Sequence, residues 1–338
     1  MKKKIFLRVV LFVLAGNMVF AAGENKKIDT SQKIEVMESE VQQKIGNIEG
    51  KAEVEVKSSR RSKLNKFISK VTGKSWKMVW NDEFNDDKLD KTKWAYWEND
   101  NPWNSGNYLD ENGNLVDQYG FNAKHYYLNE NTKIENGNLV ITIKKENNKF
   151  VMIDGKERKI LYSSGAVHTR HLFSVEYGKI EMRAAMPKGI GLWPAFWMWP
   201  LDHNQARDVW ADGEIDIVEV YGDDFRKVNG TIHVLLEPGK YQSFDEHNLI
   251  IKKNENLSNF NTYALEWDKK ELKWLFNGRV YKKVSMKNIE KYAKNPFEKP
   301  YYLMINVALK NITGNDGDVD FPTELKVDYV RVYEKIKK

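Results

Sequence analysis

The sequence predicts an all-β protein, a sandwich or jelly roll, from about Trp76 to its end, and three observations carry that reading. From Trp76 onward, short runs rich in β-branched and aromatic residues alternate with Asn, Asp and Gly, the pattern of strands and turns. No stretch in that region sustains a long helical period. Within it, Gly213–Gly222 sets three carboxylates among Ile215, Ile217, Val218 and Val220, whose branched side chains favour extended backbone.

Taken in order, the chain opens on Met1-Lys2-Lys3-Lys4, then the apolar run Ile5–Leu14, then Val19-Phe20-Ala21. A basic start, a short apolar core and compact residues before a cleavage point are the parts of a secretory signal, expected over residues 1–21. The run is short for a membrane span, and an uncleaved anchor is the alternative. The chain has no cysteine, so it holds no lipid-attachment site, disulfide or thiolate metal site. The expected location is secreted or cell-surface, extracellular or periplasmic, with no stable membrane insertion once the signal is removed.

Residues 22–73 are rich in Lys, Glu, Ser and Gln and form a polar linker, partly helical or disordered. Ile34, Met37, Val41, Ile45 and Ile48 recur at three- and four-residue steps, which suits one short amphipathic helix. The β-rich domain is expected over 74–338. All 11 tryptophans lie after residue 75, which marks the same boundary.

The formal charge of +6 is unevenly spread. Residues 1–75 carry 16 Lys/Arg and 8 Asp/Glu, so of the 54 and 48 in the chain, 38 and 40 remain beyond residue 75. The β-rich part is close to neutral and shows no basic footprint for nucleic acid.

Strands are expected at Lys77–Trp80, Asn138–Lys144, Lys179–Ala184, Asn229–Leu236, Thr262–Trp267, Lys273–Phe276, Tyr301–Val307 and Glu324–Tyr333. Asn136-Gly137 and Asn277-Gly278 suit tight hairpins, and Ser285–Asn295 suits a short helix. On a regular strand Glu214 and Asp216 share a face and Glu219 falls on the other. One β-bulge near Ile217–Val218 would return Glu219 to the face of the first two. On a helix, Glu214 and Asp216 would diverge by about 200°. A solvated edge strand would carry the same spacing without any chemistry.

Glu214-Ile215-Asp216-Ile217-Val218-Glu219 resembles the catalytic strand of glycoside hydrolase family 16, in the bulged Glu-x-Asp-x-x-Glu form of its laminarinase-like branch. The resemblance runs from about Trp76 to Glu334 through Trp80-Asn81-Asp82-Glu83-Phe84, Glu135–Leu139, Tyr177–Glu181, Leu192–Met198, Tyr263–Trp267 and Val327–Tyr333. It implies a jelly roll of two curved antiparallel sheets, concanavalin A-like, with an open cleft. It also implies a retaining endo-β-glycanase acting on a polysaccharide, in which Glu214 is the nucleophile, Glu219 the general acid/base and Asp216 the residue that tunes both. No cofactor is needed for that chemistry, and a monomer is expected.

Sugar rings offer apolar faces, so a glycan site needs aromatic platforms. Trp193 and Trp197, which share strand parity, are the leading candidates, with Trp210 a looser one; each could equally be ordinary core. Trp199 and Trp267 are assigned to packing. His233 matches a histidine often seen near the leaving-group side in that family. Family members often hold a structural calcium through backbone carbonyls and one Asp carboxylate, and the matching positions here are Glu83, Gly137 and Asp328.

Two segments depart from the laminarinase pattern: Asn122–Tyr127, and Ala308–Gly314 where laminarinases carry Gly-Gly and Trp-Pro. The laminarinase-like resemblance implies β-1,3- or β-1,3-1,4-glucan as the substrate. The altered walls leave an endo-β-galactosidase acting on agar-like or host glycans as the alternative. A non-catalytic carbohydrate-binding surface module is the rival from another class.

Overall fold

The computed structural model describes residues 76–97, 106–117, 123–153, 155–202, 212–237, 240–244, 248–290, 295–310 and 319–336. The expected signal (1–21) and linker (22–73), and Trp210, lie outside the described residues.

The first half of the domain contains β1 Trp76–Asp82, β2 Ala95–Tyr96, β3 Tyr108–Leu109, β4 Leu115–Val116, β5 His125–Tyr127, β6 Thr132–Glu135, β7 Asn138–Ile153, β8 Lys156–Ser164, β9 Ala166–His168 and β10 Gly178–Ala185. The second half contains β11 Leu192–Pro200, β12 Glu214–Glu219, β13 Lys227–Glu237, β14 Lys240–Ser243 and β15 Leu249–Ile250. It ends with β16 Asn261–Trp267, β17 Glu271–Phe276, β18 Arg279–Ser285, the short helix α1 Met286–Glu290, β19 Tyr301–Leu309 and β20 Thr323–Lys335. Every expected strand is present, several of them longer than expected. β7 runs on to Ile153 because its far half pairs with β8, although Lys144–Lys149 in its middle is entirely polar. Asn136-Gly137 and Asn277-Gly278 form two-residue hairpins with positive φ at all four positions.

The strands form two sheets. One runs β14-β13-β12-β11-β19-β9-β2, with β15 on β13. The other runs β18-β17-β16-β10-β20-β7-β8-β3-β4, with β1 on β20, β6 on β7 and β5 on β8. All pairings are antiparallel except β5 with β8. The sheets face one another across one core. Phe196, Met198, Ile215, Ile232 and Val234 enter it from the first sheet, and Ile180, Met182, Leu265, Phe276 and Val332 from the second. Removal of these side chains from water is the dominant favourable term in the fold. Trp274 of β17 also crosses that core, where its indole N–H donates to the Asp216 carbonyl at 2.7 Å.

β12 lies between β11 and β13, so the solvated edge strand is ruled out. The register shows why its acids end on one face. Phe196 pairs with Val218 and Trp197 with Asp216, so Ile217 is the extra residue of a bulge. Ile215, Ile217, Val218 and Val220 all point into the core, at 1% exposure or less. Glu214, Asp216 and Glu219 therefore share the opposite face.

Candidate active site

Residues paired across a ladder share a face, and the register of the first sheet builds the site from that rule. Glu219 pairs with Ala195 and Ala195 with Asn306; Asp216 pairs with Trp197 and Trp197 with Met304. On the other flank Glu214 pairs with His233 and Asp216 with Thr231. Trp193, Trp197 and Trp199 alternate along β11 on this same face. Four neighbouring strands thus converge on the acids, on the side of the sheet away from the core.

Each acid has its own partners. The Trp193 indole N–H donates to Glu219 Oε1 at 2.7 Å, and the Tyr221 hydroxyl reaches the same oxygen at 3.3 Å. The Trp199 indole N–H donates to Glu214 Oε2 at 2.5 Å. His233 Nε2 stands 3.1 Å from Asp216 Oδ2 and 3.7 Å from Glu214 Oε1. The Ser243 hydroxyl lies 2.8 Å from His233 Nδ1; with the ring proton on Nε2, Ser243 donates to Nδ1 and Nε2–H faces the acids. Behind Trp197, the indole N–H donates to Asn306 Oδ1 at 2.7 Å, and the Asn306 amide donates to the Tyr127 hydroxyl at 2.9 Å.

Burial sets the electrostatics. Asp216 and Glu219 are only 3% and 7% exposed. Burial raises the pKa of all three acids, because the charged form loses water. Glu214 is pushed up to about 8, with the neighbouring charge of Asp216 adding to the burial. Asp216 is raised well above the carboxylate range, first by burial and then by Glu219. For Glu219 the bonds from Trp193 and Tyr221 oppose burial without overcoming it. Three acids this close and this dry cannot all ionise at neutral pH, so the cluster retains protons. One can serve as an acid while another is charged, which is the condition for general acid and nucleophile to coexist.

The structure brings together Glu214, Asp216, Glu219, Trp193, Trp197 and His233 from the sequence-predicted set. Trp199, assigned to packing, is buried in an aromatic cluster with Tyr302 and Met304 and also holds Glu214. Its parity with Trp193 and Trp197 was the available signal. Asn306 and Tyr127 were missed because only tertiary contacts bring them in, whereas Tyr221, two residues beyond Glu219 and of the same parity, carried a local signal that was passed over. Donor atoms of Glu214, Asp216 and His233 lie within 4.8 Å of one another, with His233 Nε2 nearer to Asp216 Oδ2 than to Glu214 Oε1.

Glu83, Gly137 and Asp328 meet elsewhere, at a corner of the second sheet. Asp82 pairs with Val330 and Val327 with Leu139, which sets the three backbones side by side. The Glu83 carboxylate holds Arg331 through two bonds of 2.8 and 2.9 Å. Asp328 bonds Arg183 at 2.7 Å in a half-exposed pair. The oxygens present are hard donors suited to calcium, and only the exposed Asp328–Arg183 pair, of little energetic weight, would have to open.

The sequence profile of the glycosyl hydrolases family 16 matches residues 121–331. The chain is 32% identical over 272 residues to glucan endo-1,3-beta-glucosidase A1 of Niallia circulans, covering 76% of this chain and 38% of that protein. It is 31% identical to the beta-glucanase of Rhodothermus marinus, covering 78% of this chain and 86% of that one. The catalytic domain of an endo-1,3-beta-glucanase (laminarinase) from Thermotoga petrophila superposes with a TM-score of 0.64 at 31% identity, covering 78% of this chain and 99% of that domain.

Proposed function

The chain belongs to glycosyl hydrolase family 16, whose chemistry needs no cofactor, and from that premise we propose that it is a retaining endo-β-glucanase cutting β-1,3- or β-1,3-1,4-linked glucan. The observation that carries this reading is the bulge at Ile217, which gathers three acids, Asp216 and Glu219 buried and Glu214 largely so, on the outer face of one strand. The glucan assignment rests on the relatives named above.

In this reading Glu214 attacks the anomeric carbon while Glu219 protonates the departing glycosidic oxygen. A covalent glycosyl-enzyme forms, the leaving chain departs, and Glu219, now a carboxylate, takes a proton from the water that releases the sugar. Glu214 must be charged when it attacks. The Trp199 N–H and the His233 ring favour that charge, and Asp216, held well above the carboxylate range by burial and the neighbouring Glu219 charge, is assigned the retained proton. Trp193 and Trp197 are the proposed sugar contacts, with His233 at the edge of the acids. Glu83, Gly137 and Asp328 are the proposed holders of a structural calcium, remote from the chemistry. Export through the leader remains part of the proposal.

Product analysis of the purified protein on laminarin, mixed-linkage β-glucan, agarose and mucin-type glycans tests the reading, with Glu214→Gln as blank. Oligosaccharides from the glucans alone are expected. Cleavage confined to the galactose-containing chains would move the substrate to the alternative class.

A further inference from the structure

Lys310 continues the row Met304, Asn306, Ala308 on the site face of β19, one residue beyond the strand. Its Nζ sits 4.6 Å from the ring centre of Trp193 and 4.0 Å from that of Tyr221. Those two rings, 5.4 Å apart and tilted by 47°, are the ones whose polar tips both bond Glu219 Oε1. The ammonium therefore caps the wedge that holds one acid. A cation over two aromatic faces is attracted by both, more strongly where water is scarce.

The backbone beneath Lys310 is fixed. Its N–H donates to the Gly191 carbonyl at 2.8 Å, and it forms a bridge with Ala123. Lys124 N–H donates to the Leu309 carbonyl at 2.8 Å, and Leu309 N–H donates to His125 Nδ1 at 3.0 Å. The two segments that depart from the laminarinase pattern are thus bonded to one another, and together they present this lysine. No carboxylate among the described residues forms an ion pair with it.

We propose that Lys310 is a positioning residue for Glu219: its ammonium holds Trp193 and Tyr221 in the orientation from which both donate to Glu219, and its charge supports the ionised carboxylate. The inference deepens the glucanase reading and rests on it for the meaning of Glu219. The charge of Lys310 counts among the influences that lower the Glu219 pKa against the effect of burial. The other groups facing Glu219 are Glu214 and Asp216 on β12, Tyr221 just past it, His233 on β13 and Trp193 on β11. Of these only His233 can also bring a positive charge.

The test compares the wild type with Lys310→Met, which keeps the chain length without the charge, and Lys310→Arg, which restores the charge and the ring contact. Glu219 is titrated by carbon-13 NMR of the substrate-free protein with labelled glutamate carboxyls, resolved by difference against Glu219→Gln. In Lys310→Met the Glu219 midpoint is expected to rise by about half a unit or more, with the alkaline limb of kcat/KM following it upward, and Lys310→Arg is expected to reverse most of the shift. An unmoved midpoint in Lys310→Met, or a shift that Lys310→Arg leaves in place, overturns the proposal. The NMR titration decides this even if no glycan is cleaved, an outcome that would instead count against the glucanase reading.

Discussion

Glu214 shows at a single residue how the site trades stability for chemistry. Its pKa in the folded chain, about 8, stands above the ordinary 4.5, so folding favours its protonated form. That contribution is fully present below pH 4.5 and is lost as the pH rises through 8. Glu214→Gln keeps an oxygen to accept the Trp199 N–H and removes the buried charge. The variant is expected to melt at the wild-type temperature near pH 4.5. At pH 8 it should melt several degrees higher, from roughly 1–3 kcal/mol of relief. Its turnover should fall by about 1000-fold or more. Calorimetry at both pH values checks the stability part; equal melting temperatures at pH 8 would show that the Glu214 charge is already compensated. The three acids were legible in the sequence because their spacing implies one face once a bulge is admitted. Lys310 was not, since nothing local to Lys310 announces the rings of Trp193 and Tyr221, which come from two other stretches of chain.

At the scale of the element, β12 depends on its bulge and on what lies behind it. The bulge was readable because Ile217 and Val218 are adjacent, apolar and branched, so both seek the core while acids flank them. Trp274 was not readable as a support: its indole bonds the Asp216 carbonyl from the opposite sheet, a contact between residues far apart in sequence. Trp274→Phe leaves that carbonyl without the indole and is expected to cost about 1–3 kcal/mol in a urea titration. With the protein still folded, kcat should fall more than KM rises, because the loss lies under the acids and away from the sugar contacts. A variant with wild-type kcat and lowered stability would confine Trp274 to the core.

At the scale of the whole molecule, two sheets and the face that carries the site were legible from strand-length runs, hairpin signals and the family resemblance. The extension of β7 to Ile153 was not, because the polar run Lys145–Lys149 interrupts the strand pattern before Phe150–Ile153, and only pairing with β8 carries one strand across it. The corner of Glu83, Gly137 and Asp328 belongs to this scale, since it ties β1, the β6–β7 hairpin and β20. Millimolar calcium is expected to raise the melting temperature by a few degrees and Asp328→Asn to abolish the gain, with activity per folded molecule unchanged. A melting curve indifferent to calcium would assign that corner to its arginine pairs. In the proposed function Glu214 and Glu219 act on a β-glucan by double displacement, which keeps the anomeric configuration. Proton NMR of laminarin during the first minutes of hydrolysis, with Glu214→Gln as blank, tests it most directly. Double displacement makes new reducing ends appear first as the β-anomer and drift later to the equilibrium mixture. New ends appearing first as the α-anomer would contradict it.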